Sequence, residues 1–590
     1  MLQTNEWKYN KQNVDRLSHY LEFDSFYKQI EKNINDFLHK PPETNQEAEI
    51  IRILKDYKEN STKGDNESRK VMKEHIRTLL LNGFTVYEIN DAGEPVNNLL
   101  YEKVYISDNN SFIEYIIPFE KPEQLTPVEK FEIILYKNSK KSVSGMDSAF
   151  KEVLRKYPFY HKVRELNDYI SNNYEYDESD IADIYNRENV HLTFRDKVEV
   201  LTQRIYEEVY GLKSLDMLAY SDVNEVGFSY SGEYVYCWCD IKIWLSFIKL
   251  SENQARVVQD KAISFDKNIG QLDISNPEKL CHRADGARIT VTQFPYSSAR
   301  NICIRNFNQS HSSFGELIQL NKLRALMVAM VRMGKSICMQ GGLGTGKTTT
   351  MEVMFEILDD YLHIGLVEDY FEQHIMKKYP YKRVVELQSI NSKTLHDAVK
   401  TILRMSIDVA GLGECRDGNA LYAFIQLVQS VSVAAWFTTH INRPETTIPR
   451  LKNLAMSTGI YSTEQSAVMD LIHNINIIFQ HEIIDNKRQI TKVVEVEPLV
   501  ETHFAYGDNL TMDTELERLE KLYYIQHIQN NTSNMYRLNT LMEIRDGELK
   551  FVNYPSQRLI NDANRNKSNM EYLNKLLEIM EADIKSPCIR

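Results

Sequence analysis

The stretch "GGLGTGKTTT", residues 341–350, decides how this chain is read. In the frame G-x-x-x-x-G-K-[ST] it sets Gly341, Gly346, Lys347 and Thr348 in the pattern of a phosphate-binding loop. Glycines let backbone N–H groups converge on phosphate oxygens, because side chains would block the approach and several positions need unusual dihedrals. Gly342, Leu343, Gly344, Thr345 and Thr349 complete the expected cradle. Lys347 is placed to reach β- and γ-phosphates and the Thr348 hydroxyl to hold Mg²⁺, so ATP with Mg²⁺ is the expected ligand.

The flanks agree with the motif. "SICMQ" before the loop reads as a short buried strand. After it, Met351, Met354, Phe355 and Leu358 recur at i, i+3, i+4 and i+7, an apolar helix face. Further on, "HIGLVED", "IDVAGLGE", "SVAAWFTTH" and "INIIFQHEI" read as strands separated by helical stretches, which predicts an α/β unit with a parallel sheet over 321–500. Upstream, "EVGFSY", "EYVYCWCDI", "ARITVTQF" and "NICIRNF" alternate or are β-branched. They predict an α+β domain with a mostly antiparallel sheet over 190–320, entered by a helix whose face carries Val198, Leu201, Ile205 and Val209. Residues 1–185 form an extension of unknown role, broken by polar stretches such as "ENSTKGDNESRK" that read as loops or linkers. Residues 501–590 read as mostly helical, with "RLEKLYYIQHIQ" and "MEYLNKLLEIM" as helices.

Bulk properties narrow the class. With 590 residues the chain exceeds one core, and about 150 residues per domain suggests three or four. A formal net charge of −13 argues against broad attraction to nucleic acid. Seven scattered cysteines read as reduced thiols, and Cys237 with Cys239 as alternate strand positions rather than a metal site. The start "MLQTNEWKYNKQN" has no apolar signal-peptide region, and no run of about twenty apolar residues predicts a membrane span, so a membrane role would be peripheral.

Polar residues at the carboxyl ends of parallel strands face a bound nucleotide. Three predicted strand ends carry them: Glu368 with Asp369, Glu414, and His440. Each alone can be a solvated strand end or a helix cap.

The order of these elements resembles the secretion ATPase superfamily of type II and type IV secretion and type IV pili, with the Tad/Flp pilus and conjugation motors as the nearest branch. The likeness rests on the loop, "VED" with "VVELQ", "RMSIDVAGLGECRDGNAL" and "TTHINRPETTIPRL", and upstream on "EEVYGLKSLDMLAYSDVNEVGF" and "HRADGARITVTQFPYSSARNICIRNF", so it spans about 190 to 500. "MYRLNTLMEIRDGELKFVNYPSQRL" also resembles a tail of some members. The resemblance implies a RecA-like ATPase domain after the α+β domain. It also implies a homo-hexamer on the cytoplasmic face of a membrane-embedded secretion, pilus or conjugation apparatus. It makes Glu414 the carboxylate that orients the attacking water, Glu368 and Asp369 an acidic box near Mg²⁺, and His440 a phosphate sensor. Arg288 and Arg305 become cations brought to the phosphates, although either arginine can equally form a surface ion pair. The chain departs from the family pattern at Asp417, Asn419 and Ser432. Two rivals stay open: a nucleic-acid translocase on the same core, and a non-catalytic nucleotide-dependent assembly module.

Overall fold

The computed structural model describes residues 22–104, 106, 110–139, 149–157, 161–166, 169–221, 223–239, 242–264, 270–306, 313–390, 393–484, 487–499, 532–564 and 567–584, with Leu516, Glu517, Leu519 and Tyr523. Two compact units, residues 1–309 and 310–590, divide the chain.

In the first unit, α1 (Phe23–His39), α2 (Asn66–Asn82) and α3 (Phe194–Val209) pack with two sheets. β1 (Phe84–Ile89) and β2 (Pro95–Val104) make a separate antiparallel pair. The main sheet contains β3 (His161–Leu166), β4 (Tyr169–Tyr176), β5 (Glu225–Ser229), β6 (Tyr234–Trp238) and β7 (Lys242–Leu245). β8 (Glu278–His282), β9 (Arg288–Thr292) and β10 (Asn301–Arg305) complete it. Its order is β3-β4-β7-β6-β5-β10-β9-β8, and only the β4–β7 pairing is parallel. The expected face of α3 is buried, Val198, Leu201, Ile205 and Val209 included. Three features of the extension differ from the sequence reading. The segment "ENSTKGDNESRK" is not a linker: the helix Asn45–Thr62 runs into it, Gly64 turns the chain at φ 85°, and the Asp65 carboxylate caps α2. β3 and β4 join the same sheet as the strands after 220. One continuous apolar core runs from Phe26 to Ile304, so extension and α+β region fold as one body. Arg69 of α2 donates to both oxygens of the fully buried Asp216 at 3.2 and 2.6 Å, a tie across that shared core.

The second unit is a nine-stranded sheet with helices on both faces. It contains β11 (Ile337–Gly341), β12 (His363–Glu368), β13 (Arg383–Gln388), β14 (Val409–Leu412), β15 (Ala434–Thr439) and β16 (Ile477–Ile484). β17 (Lys487–Pro498), β18 (Tyr536–Arg545) and β19 (Glu548–Phe551) follow. The order is β13-β12-β14-β15-β11-β16-β17-β18-β19. The six strands from β13 to β16 are parallel, as both-face helix cover requires, and their near-continuous apolar runs are buried. One face packs against α4 (Asn321–Arg332), α5 (Lys347–Glu356) and a C-terminal helix. The other face packs against α6 (Leu395–Ile402), α7 (Gly418–Ser430), α8 (Thr447–Ser457) and α9 (Glu464–Asn474). The C-terminal helix on the first face is α10 (Lys567–Ile584).

β17 to β19 are antiparallel, so β18 and β19 add a strand pair, not expected from the sequence, to a C-terminal region whose other described elements are helices. β18 and β19 are joined through Asp546 (φ 54°) and Gly547 (φ 78°), a left-handed pair that a D-G hairpin turn provides. Most of the expected helix "RLEKLYYIQHIQ" lies outside the described residues.

Candidate functional site

The loop between β11 and α5 has the conformation its composition demands. Gly341, Gly344 and Gly346 hold φ values of 150°, 71° and 93°, a region that L side chains avoid. Gly341 is also required by packing, since a Cβ there would lie 2.2 Å from the His481 carbonyl oxygen on β16. Thr345 donates its hydroxyl to Gly342 O at 2.9 Å, which tightens the turn. Leu343 and Thr349 are exposed, Gly342 and Thr348 half-buried, and Lys347 buried.

Lys347 Nζ donates to the carbonyls of Gly341 (3.1 Å) and Gly342 (2.7 Å) and stands 3.2 Å from His440 Nδ1. An ammonium has only donors, so His440 Nδ1 carries the lone pair and Nε2 the proton. Nε2 faces Glu414 Oε1 at 2.8 Å. The other carboxylate oxygen accepts from Arg416 at 2.6 Å. A polar chain Lys347–His440–Glu414–Arg416 therefore runs along the carboxyl edge of the sheet beside the loop. Burial alone would raise the Glu414 pKa, but the hydrogen bonds from His440 and Arg416 and the Arg416 charge outweigh it and hold it at about 2. Thr438 and Thr439 at the end of β15 donate to Gly413 O (2.5 Å) and Cys415 O (3.0 Å), so the Glu414 segment is pinned from both sides.

The other expected residues sit differently. Glu368 ends β12 beside Gly413, buried, accepting from Glu372 N and Gln373 Nε2, each at 3.2 Å. Burial, then the nearby Glu372 charge, lifts its pKa to about 8, so it is a protonated acid at neutral pH; Lys378 nearby is itself ion-paired with Glu352. Asp369 faces Ser389 Oγ at 3.3 Å. Arg288 and Arg305 lie in the first unit, opposite each other on β9 and β10, with Arg305 Nε 3.6 Å from Glu225 Oε2. The departures have local structural work: Asp417 caps α7 by accepting from Ala420 N at 2.9 Å, and Ser432 donates to Asp408 at 2.6 Å.

A protonated Glu368 predicts a pH effect. Its folded pKa of about 8 exceeds its ordinary value of 4.5, so the folded state holds a proton that the unfolded chain releases. Stability contributed by this group is complete below about pH 4.5 and is lost as pH rises towards 8, by an amount on the order of 4–5 kcal/mol. Glu368→Gln imitates the protonated form, so its melting temperature should exceed that of the wild-type chain at pH 8 and converge with it at pH 5.

Beneath the loop lies a second polar group that the sequence reading passed over. His481 is fully buried and its pKa falls to about 4 through that burial. Its Nδ1 faces the carbonyls of Gln340 (3.3 Å) and Phe479 (3.2 Å), and its Nε2 meets Thr350 Oγ1 at 3.0 Å. Gln340 bridges Thr447 (2.5 Å) and Gln480 (2.7 Å). "INIIFQHEI" was legible as a strand, and its polar end was the available signal.

Among solved structures, the VirB11 ATPase of the Brucella suis type IV secretion system is similar at 18% identity, over 46% of this chain and 88% of that one, with a TM-score of 0.26. The Legionella pneumophila ATPase DotB is similar at 13% identity, over 62% and 85%, with a TM-score of 0.36. The pilus retraction motor PilT with bound ADP is similar at 17% identity, over 52% and 84%, with a TM-score of 0.35. No curated protein sequence matches the chain. Residues 279–554, just under half of the chain, match the family described as Type II/IV secretion system protein, and that stretch holds Arg288, Arg305, the phosphate loop, Glu368, Glu414 and His440.

Proposed function

We propose that the chain is an ATP-hydrolysing motor of a type IV secretion, conjugation or pilus-assembly apparatus, working as a homo-hexamer at the cytoplasmic face of the membrane, with the second unit as its RecA-like domain and the Tad/Flp motors as its branch. The observation that carries the reading is the polar chain from Lys347 through His440 to Glu414 beside a glycine loop of the required conformation.

The residues present fit a magnesium-bound triphosphate. The loop's amides and Lys347 supply donors for phosphate oxygens, and the Thr348 hydroxyl is the protein's ligand to the metal. Among the described residues no group of three or more carboxylate, Cys or His side chains could hold a metal on its own, which suits a Mg²⁺ that takes most ligands from phosphate and water. When bound, Mg²⁺ neutralises phosphate charge. Glu414, ionised at any physiological pH with a pKa of about 2, is too weak a base to keep a proton; it orients water by accepting a hydrogen bond. His440 links that carboxylate to Lys347, so a change at the phosphates is felt at the water-orienting group. No described helix is long and apolar enough to cross a membrane.

Lys347→Ala tests the nucleotide reading. Losing a charge-assisted hydrogen bond to phosphate should weaken ATP binding by about 1.5–3 kcal/mol, roughly 10- to 150-fold. Calorimetric titration of both proteins measures this, and equal affinities would remove ATP from the proposed site. Stimulation of turnover by anionic lipid vesicles rather than by DNA separates a membrane-docked motor from a nucleic-acid translocase.

A further inference from the structure

The phosphate strand has two neighbours with different chemistry. On one side β15 carries His440, and β14 beyond it leads to Glu414. On the other side β16 runs parallel to β11, then returns as β17, whose second residue is Arg488, opposite Ile483. Arg488 lies over the loop: a Cβ built on Gly346 would be 3.8 Å from Arg488 Cδ, with no other side chain within 4 Å. Gly346 is also the residue that caps α5, where helix N–H groups point outward. Arg488 is exposed, and among the described residues no carboxylate pairs with its guanidinium. Its described neighbour across the strand is the glycine loop rather than an acid.

We propose that Arg488 is a nucleotide-binding residue which grips the α/β-phosphate side of the ligand, across the loop from Glu414 and His440. This rests on the nucleotide reading above and adds a cation supplied from within the second unit itself. Lys347 stands on the His440 side of the cradle, so the loop needs a donor on the β16 side, where Gly346 can carry no side chain at φ 93°. A guanidinium fills that place with a planar fork that matches two phosphate oxygens. Because it lies away from the water-orienting carboxylate, it holds the part common to ATP and ADP rather than the γ-phosphate.

The test is titration of the full-length wild type, Arg488→Ala and Arg488→Lys with ATP and with ADP, alongside melting curves. Arg488→Ala should bind both nucleotides about tenfold more weakly, with the KM for ATP rising in step. Arg488→Lys should recover only part of the loss, and the wild-type affinity should fall more steeply with salt than that of Arg488→Ala. Melting curves that superimpose exclude a folding cause, since the side chain is exposed. Wild-type affinity for both nucleotides in Arg488→Ala overturns the assignment and leaves the nucleotide site standing. A loss for ATP alone overturns it too, by moving the guanidinium to the γ-phosphate. A wild-type chain that binds neither nucleotide refutes the nucleotide reading itself.

Discussion

Glu414→Gln should reduce steady-state ATP turnover by about two to four orders of magnitude while ATP still binds. The amide keeps the shape of the carboxylate but gives up one acceptor oxygen and the negative charge. Both are already engaged: Oε1 faces His440 Nε2 at 2.8 Å and Oε2 accepts from Arg416 at 2.6 Å. A water oriented by Glu414 uses the remaining lone pairs, and the glutamine has too few to serve all three partners. Loss of the carboxylate also frees His440 to turn its ring, which loosens the contact with Lys347 at 3.2 Å. Single-turnover hydrolysis with nucleotide affinity measured in parallel separates the two effects. Turnover within a factor of two of wild type would show that another group orients the water. Glu368, protonated at neutral pH, is a poor substitute for it.

Arg305→Ala is the second large effect, on the order of 10³-fold in hydrolysis if the residue acts as an arginine brought to the transferred phosphoryl group. In the first unit Arg305 stands 3.6 Å from Glu225, which also accepts from Tyr236 OH at 3.0 Å. It therefore has an ion pair to give up before it can act elsewhere. This arrangement makes two variants informative. Arg305→Ala should lose hydrolysis with at most a modest change in ATP affinity, and Arg305→Lys should rescue poorly for want of the planar fork. Glu225→Gln, which weakens the resting pair, should leave hydrolysis intact or raise it. If Arg305→Ala assembles normally by light scattering and hydrolyses ATP at the wild-type rate, the arginine is only a structural partner of Glu225.

The loop and the strand ends were legible because their chemistry is local. Positive φ at Gly344 and Gly346 depends on the residues themselves, and a strand end such as "WFTTH" announces its polar residue wherever the strand goes. What escaped depends on partners far along the chain. Nothing in "YISNNYEY" shows that Tyr176 pairs in parallel with Leu245, which is what merges the extension with the region after 220. The state of Glu368 was equally hidden: an acid ending a strand reads as ionised, and only its enclosure beside Gly413 makes it neutral. Arg488 is separated from the loop by about 140 residues of sequence and meets it only because β16 lies next to β11. The D-G turn between β18 and β19 was a readable hairpin signal inside a segment whose composition suggested helix.

The strand that ends in the phosphate loop is the fifth of nine, with four strands on either side. Sheets open from their edges, where one side of each strand lacks a hydrogen-bonded neighbour. Fraying must therefore remove β13, β12, β14 and β15 in turn, or β19, β18, β17 and β16, before β11 is released. β16 to β19 supply half of that protection, and of these β18 and β19 carry none of the residues placed beside the loop. The loop that has to respond to each nucleotide is thus anchored in the part of the sheet that is the last to loosen, and thermal motion at the rim is spent before it reaches the phosphates.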